Sequence, residues 1–265
     1  MTTESGYLLD NRQAEAGERF AALSRIFDPV TFRHFDALGV RDGRRCWEVG
    51  AGGTPVVQWL ARRVGATGHV LATDIDVSRV AGAAGDNVEV MRHDVGVDEP
   101  PGEGFDLVHA RLVLVHVPAR DRALRTMIDA LRPGGVLLVE DADPALQPLA
   151  CPDGAGPDEE LANRIRRGFR SLLEKRGGDL AYGRTLPRRM RGAGLVDVGA
   201  DAYFPITLPE SGLLEAATVR QVRGALVEQG LATDDEIATH LSNIASGRLD
   251  VVIAPMISAW GHKPP

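Results

Sequence analysis

The sequence predicts an α/β fold built on a parallel sheet. Three observations carry that expectation. From residue 45 onward, short apolar runs alternate with segments of helical spacing. The first run ends in a cluster of glycines, WEVGAGGTP at 47–55. An acidic residue, Asp74, ends the second run, twenty positions beyond Thr54. Strands separated by helix-length segments imply βαβ units with right-handed crossovers.

The elements follow in order. Residues 8–39 place Phe20, Leu23, Ile26, Phe27, Phe32, Phe35 and Leu38 at helical spacing, with Pro29 in their midst. Proline lacks the amide proton and clashes with the preceding turn, so two helices are expected, the second stopped at Gly39. RCWEVG (45–50) reads as a strand, TPVVQWLARRVG (54–65) as a helix and HVLATDID (69–76) as a strand. VSRVAGAAG (77–85) reads as a short helix, VEVMRHDV (88–95) and FDLVHARLVLVH (105–116) as strands. RDRALRTMIDALRPGG (120–135) is a helix closed by a proline–glycine turn, and VLLVEDAD (136–143) a fifth strand. A Pro/Gly-rich loop (144–159) leads to helices at about 159–176 and 183–192 and a strand near 195–207. Helices at about 211–229 and 233–246 separate that strand from a last one at 250–263. Residues 1–40 are expected to form a helical lid segment. Residues 41–265 are expected to form the main domain, with helical insertions at about 157–192 and 211–246.

Composition narrows the function classes. Hydrophobic residues make up 44% and charged residues 25%, ordinary values for a soluble globular protein. A net charge of −7 argues against broad capture of nucleic acid. Two arginine-rich stretches, NRIRRGFR (163–170) and RTLPRRMR (184–191), read as the wet faces of helices. Cys46 and Cys151 are too few and too far apart for a disulfide framework or a zinc site. With no signal peptide and no membrane-length apolar run, a soluble cytoplasmic protein is expected, with no membrane or nucleic-acid partner.

A strand, a glycine-rich turn and a helix can cradle part of a nucleotide-like ligand, because glycines admit close approach and the helix start offers unpaired N–H groups. Alone the pattern is weak. Asp74 strengthens it, standing where dinucleotide folds place the acid that accepts ribose hydroxyls. Glu48 then separates the ligands: a carboxylate entering the loop repels a pyrophosphate and suits a cationic end carrying an ammonium and a sulfonium. Asp94, ending the third strand, could accept from an adenine amino group.

EVGAGG (48–53), ATDID (72–76), RHDV (92–95), FDLVHARLVLVHVP (105–118) and LRPGGVLLVED (131–141) together resemble the class I S-adenosylmethionine-dependent methyltransferases. The subgroup it is similar to is that of bacterial small-molecule enzymes of the ubiquinone/menaquinone-methyltransferase type. The resemblance implies a Rossmann-like, seven-stranded, mostly parallel sheet of order 3-2-1-4-5-7-6 with one antiparallel strand. It implies S-adenosylmethionine as cofactor and S-adenosylhomocysteine as product. Glu48, Gly50, Ala51 and Gly52 would wrap the methionine end, and Asp74 would hold the ribose with Ile75 beside the adenine. Asp94 and Val95 would read the adenine edge, and Ala110 and Arg111 would close over the methionine moiety. Thr54 departs from the pattern, standing where a third glycine is usual; followed by Pro55, it makes sense as an N-cap.

Methyl transfer from a sulfonium needs alignment, exclusion of water and, for some acceptors, a base. His116 is the catalytic candidate. Asp141 and Asp143 end the fifth strand, with capping the simpler duty for each. No second acidic cluster completes a metal site, so no metal is expected. Tyr7 and Tyr203 are lid or substrate candidates, Phe204 lies beside the latter, and Trp260 reads as core. Arg12 and Arg19 read as solvated or as acceptor-facing. The expected function is methyl transfer to a small, partly hydrophobic acceptor of specialised (natural-product) metabolism, with oxygen slightly favoured as the methylated atom. The alternative is a protein of the same fold that binds the cofactor without methylating. The helices between the last two strands offer apolar faces for covering a pocket or forming a homodimer.

Overall fold

Strands whose two faces are both covered have no polar side to show, and their sequences run nearly continuously apolar. That is the case here: β1 (Arg45–Val49), β2 (His69–Asp74), β4 (Phe105–Arg111) and β5 (Leu131–Ala142) are buried over most of their length. With β3 (Val88–Arg92), β6 (Val196–Tyr203) and β7 (Met256–His262) they form one sheet in the order β3-β2-β1-β4-β5-β7-β6. The pairs among β1 to β5 are parallel, and β7 runs antiparallel to both its neighbours. The computed structural model describes residues 8–9, 14–154, 156–206 and 208–265. Tyr7 and Arg12 lie outside the described residues.

The helices are α1 (Ala14–Ala37), α2 (Pro55–Val64), α3 (Arg120–Ala130), α4 (Pro157–Lys175), α5 (Tyr182–Gly192), α6 (Pro209–Glu228) and α7 (Asp234–Ala245). The chain divides into two compact units. One, the sheet unit, comprises residues 27–142, 182–203 and 256–265. The other, a helical unit, comprises residues up to 26, 143–181 and 204–255. α5, expected as part of an insertion, packs Tyr182, Leu186 and Met190 into the core of the sheet unit.

The sheet unit buries apolar residues on both faces. Trp47, Val49, Phe105, Val108, Ala110, Leu137 and Val139 meet α3 and α5 on one face. Cys46, Val70, Ala72, Leu107 and Leu138 join Val57, Leu60 and Phe35 on the other. This alternation is the period-two pleat of a strand buried on both sides. In the helical unit Leu161, Ile165 and Leu172 of α4 pack with Val219, Val222 and Leu226 of α6 and Ile237 of α7. Thr233 and Glu236 form a capping box that starts α7.

Three local expectations are corrected. α1 is one helix of 24 residues with Pro29 inside it. Its C-terminal half is anchored by Asp28, Thr31 and His34, whose bonds to the sheet override the local cost of proline. Thr54 precedes α2 but makes no side-chain cap, because its backbone is already helical (φ −85°, ψ −24°) where a capping residue is extended. Pro55 does occupy the start of α2. Residues 77–85 form two short 3-10 turns, Val77–Arg79 and Ala81–Ala83, rather than an α-helix. So short a run with two glycines cannot meet the cost of helix nucleation.

The arginine-rich stretches are partly internal. Arg166 is buried and reaches Glu215 Oε2 at 2.6 Å and Val252 O at 3.0 Å. Burial alone would raise the Glu215 carboxyl, yet the Arg166 guanidinium and His240 hold it down to about 2. Arg164 and Arg189 pair with Glu236 and Asp121, each at 2.7 Å. Arg19 is corrected as well: it is buried in the helical unit, with Nε donating to Gln221 Oε1 at 3.1 Å. Among the described residues no helix is long and apolar enough to cross a membrane.

Candidate functional site

The carboxyl ends of β1, β2, β3 and β4 converge at the glycine loop, where open parallel sheets bind their ligands. Gly50 and Gly52 turn the chain out of β1 with φ of 62° and 61°, a region that favours glycine. A Cβ at Gly50 would overlap the Val113 side chain. Val113 is brought there by Leu112, a non-glycine residue at φ 57° whose N–H donates to Glu140 O at 2.8 Å. Strain of this kind clusters at functional sites.

Asp74 ties the loop together. Its Oδ2 accepts the Gly52 N–H at 2.9 Å and its Oδ1 the Asp76 N–H at 3.0 Å. Burial pushes its carboxyl up, and those two backbone donors oppose the shift. Each carboxylate oxygen has a second lone pair, so the group retains capacity for two hydroxyl donors. Ala51 N donates to Thr73 O at 2.9 Å, fixing the loop to β2. Ile75, directly after Asp74, is 54% exposed, an apolar surface beside the acid.

Asp94 is exposed, and its Oδ1 accepts the Gly96 N–H at 2.9 Å. The Val95 side chain belongs to the core, so its backbone is the part able to face a ligand. Ala110 is fully buried in the same core. Arg111 is committed to α1: Nη2 donates to Asp28 Oδ1 at 2.7 Å and Nη1 to Thr31 Oγ1 at 2.9 Å. Its stem and backbone therefore remain for a neighbouring ligand.

His116 is half-buried on the turn after β4. Asp141 caps that turn, its Oδ2 accepting the Val115 N–H at 3.3 Å. Complete burial raises the Asp141 carboxyl to about 8 against those backbone bonds. Asp143 lies in the helical unit, where its Oδ1 accepts the Leu146 N–H at 3.1 Å. Tyr203 is half-buried and meets Phe27 edge to face, centroids 6.2 Å apart. Phe204 is exposed. Trp260 is partly buried against the α2 side of the sheet core.

Sequence reasoning missed the charged groups buried under the loop. His109 Nδ1 lies 2.6 Å from Glu48 Oε2, and His109 Nε2 lies 3.4 Å from Glu140 Oε2. Glu140 also meets His34 Nδ1 at 3.0 Å, accepts Ser258 Oγ at 2.7 Å and is bonded by Thr31 Oγ1. The available signal was a histidine and a glutamate inside the otherwise apolar runs LVHA (107–110) and VLLVE (136–140).

The sheet order and the glycine loop define a Rossmann-like α/β protein with a candidate ligand site at the carboxyl edge of its sheet. A family model for the methyltransferase domain matches residues 15–199, and the chain belongs to that family. Its relatives include bacterial ubiquinone/menaquinone methyltransferases. The ubiquinone/menaquinone biosynthesis C-methyltransferase UbiE of Vibrio cholerae is 34% identical over 125 residues, covering 43% of this chain and 48% of that protein. The Hahella chejuensis UbiE is 27% identical over 175 residues, covering 56% of this chain and 69% of that one. The match thus spans about half the length of the first of these relatives. Among solved structures, Haemonchus contortus phosphoethanolamine N-methyltransferase 2, in complex with phosphomonomethylethanolamine and S-adenosylhomocysteine, superposes with a TM-score of 0.60 at 16% identity. That likeness covers 100% of this chain and 61% of the other. The 4+2 cyclase SpnF superposes with a TM-score of 0.51 at 16% identity, covering 96% and 85%. At these identities the likeness is one of fold.

Proposed function

We propose that the chain binds S-adenosylmethionine at the glycine loop and transfers its methyl group to a small-molecule acceptor. The observation that carries this is the Asp74 carboxylate, held by Gly52 and Asp76 with acceptor capacity left for two ribose hydroxyls. The left-handed turns at Gly50 and Gly52 bring the loop backbone out at the strand end, where it can approach a ligand closely. Glu48 receives the α-ammonium, Gly50, Ala51 and Gly52 line the methionine end, and Ile75 packs beside the adenine. Asp94 and the Val95 backbone read the adenine edge, and Ala110 and the Arg111 stem border the methionine moiety.

When bound, the cofactor supplies an electrophilic methyl on a good leaving group. The chain's own tasks are to align the acceptor, exclude water and, where the acceptor carries a proton, remove it. His116 is the group proposed for that removal, supported by its half-buried place on the turn after β4. Specialised metabolism as the acceptor's setting, with oxygen slightly favoured as the methylated atom, is supported by the resemblance of the motifs. Relatives named as C- and N-methyltransferases make carbon and nitrogen acceptors the necessary comparison in a substrate screen. Two buried, unpaired cysteines, Cys46 and Cys151, support a reducing, cytoplasmic setting.

Isothermal titration with S-adenosylmethionine and S-adenosylhomocysteine tests the cofactor assignment. Micromolar binding that Asp74→Ala loses is expected; no binding of either ligand sinks the proposal. A second reading keeps the cofactor and drops the transfer, supported by the fold shared with a cyclase. Formation of S-adenosylhomocysteine with any acceptor excludes it.

A further inference from the structure

Five charged side chains form an unbroken file through the sheet unit: Glu48, His109, Glu140, His34 and Asp201. Glu48 Oε2 and His109 Nδ1 are 2.6 Å apart, and His109 Nε2 and Glu140 Oε2 are 3.4 Å apart. Glu140 Oε1 and His34 Nδ1 are 3.0 Å apart, and His34 Nε2 and Asp201 Oδ2 are 3.1 Å apart. Glu48 and His109 are register partners on β1 and β4, while Glu140, Ser258 and Asp201 are partners across β5, β7 and β6. The first four members are at least nine-tenths buried, and the Asp201 side chain is 43% exposed.

Each ring nitrogen of His109 faces a carboxylate, and so does each of His34. A neutral imidazole has one donor and one acceptor, so with both flanking carboxyls ionised the imidazolium is the form that satisfies both contacts. The file therefore reads as three carboxylates alternating with two cations. The groups facing His109 are Glu48 from β1 and Glu140 from β5, and Arg111, two residues along its own strand, acts on Glu140. Beyond them stand Asp28, Thr31, Arg33, His34 and the Phe35 ring from α1, Ser258 from β7 and Asp201 from β6. Opposed by burial but favoured by the two glutamates, the His109 imidazolium persists well above the usual histidine range, to about 9.

We propose that His109 is a positioning residue for the cofactor site: as an imidazolium it holds the Glu48 carboxylate in the orientation that receives the α-ammonium, and the file through Glu140 and His34 to Asp201 keeps the imidazolium charged. This rests on the assignment of Glu48 to the cofactor made under Proposed function. Its consequence is a pH-dependent affinity in which Glu140 and Asp201, which do not touch the ligand, set where binding weakens. The ligand's own amino group imposes a pH limb common to all variants, so the readout is the displacement between proteins.

The experiment is isothermal titration of the full chain with S-adenosylhomocysteine at pH 6 and pH 8, for the wild type, Glu48→Ala, Glu140→Gln and Asp201→Asn. Glu140→Gln keeps the shape and removes the charge. Its affinity is expected within about threefold of wild type at pH 6 and about tenfold weaker at pH 8, one decade per unit of protonation lost. Asp201→Asn should shift in the same direction by less, and its half-exposed position lets it decide the matter if Glu140→Gln does not fold. A ¹⁵N-histidine spectrum, with His109 assigned from a His109→Gln variant, should show both ring nitrogens protonated at pH 7.5. If the wild type binds no ligand, or Glu48→Ala binds as well as wild type, the cofactor assignment falls and this proposal with it. If wild type binds, Glu48→Ala weakens binding by tenfold or more and yet Glu140→Gln and Asp201→Asn follow the wild-type pH profile, the file has no such role while the cofactor assignment stands. A neutral His109 at pH 7.5 overturns the proposal equally.

Discussion

Glu140 and Asp141 are neighbours on β5, yet the two faces of the strand treat them oppositely. Glu140 points to the face that carries α1, where burial would raise its carboxyl but His109 and His34 hold it far below the usual range. Asp141 points to the face that carries α3 and α5, where burial wins and its carboxyl rises to about 8. Both are almost fully buried. The difference lies in partners: two imidazoles and two hydroxyls bond Glu140. Backbone amides of the turn after β4 bond Asp141, and its Oδ1 lacks a hydrogen-bond partner. A buried carboxyl among cations stays charged and carries a network; one among dipoles takes a proton and becomes a neutral cap.

The largest effect expected from breaking this contrast is on the charged face. Glu140→Ala leaves His109 and His34 without the carboxylate between them, and losing one partner of a buried pair costs about 3–5 kcal/mol. A urea midpoint at pH 7 measures it; a loss below about 1 kcal/mol would mean that the file is not charged.

The pH dependence comes next. The His109 value is raised from 6.5 to about 9, so the folded state holds a proton that the unfolded chain releases. That stabilisation is full below pH 6.5 and is lost as pH rises through 9. Thermal melting of the wild type should fall across this window, and His109→Gln should flatten the fall while starting lower. An unchanged slope in the variant would assign the dependence elsewhere.

Asp141 has its own window. Its value is raised from 3.8 to about 8, so again the folded state holds the extra proton, and its contribution is greatest below pH 3.8 and lost as pH rises to 8. Asp141→Asn imitates the neutral acid at every pH. It should lose less stability than wild type between pH 5 and pH 8, as urea midpoints at the two values would reveal. Equal losses in both proteins would show that Asp141 is ionised in the fold.

The smallest effect belongs to Tyr182, whose buried hydroxyl on the same face as Asp141 lacks a hydrogen-bond partner. Tyr182→Phe removes a desolvated polar group without opening a cavity, so a change within about 1 kcal/mol, toward stabilisation, is expected. A loss of 2 kcal/mol or more would reveal a bond to that hydroxyl.

How much of this was legible in the sequence follows from the range of the forces. The glycine loop, Asp74 and the strand–helix alternation are set within about thirty residues, by backbone freedom and hydrophobic period. The motifs that carried the family resemblance also carried the sheet order, β7 antiparallel included. Pro29 misled because the breaker rule counts a lost amide bond and not the Asp28, Thr31 and His34 contacts on the far side of it. Thr54 misled because residue type identifies a capping residue only when the backbone is extended. Arg19 reads as solvated or acceptor-facing because its partner, Gln221, lies about two hundred residues away.

The sequence by itself determined the α/β class, the place of the loop and its acid, and the family. Each depends on local periodicity or on residues held together by one turn of chain. Only the tertiary structure decided that His109 and Glu140 are partners across β4 and β5 and that burial raises the Asp141 carboxyl. Those states depend on cross-strand register and on which helix covers which face, and a carboxyl's charge is a property of its surroundings rather than of its place in the chain.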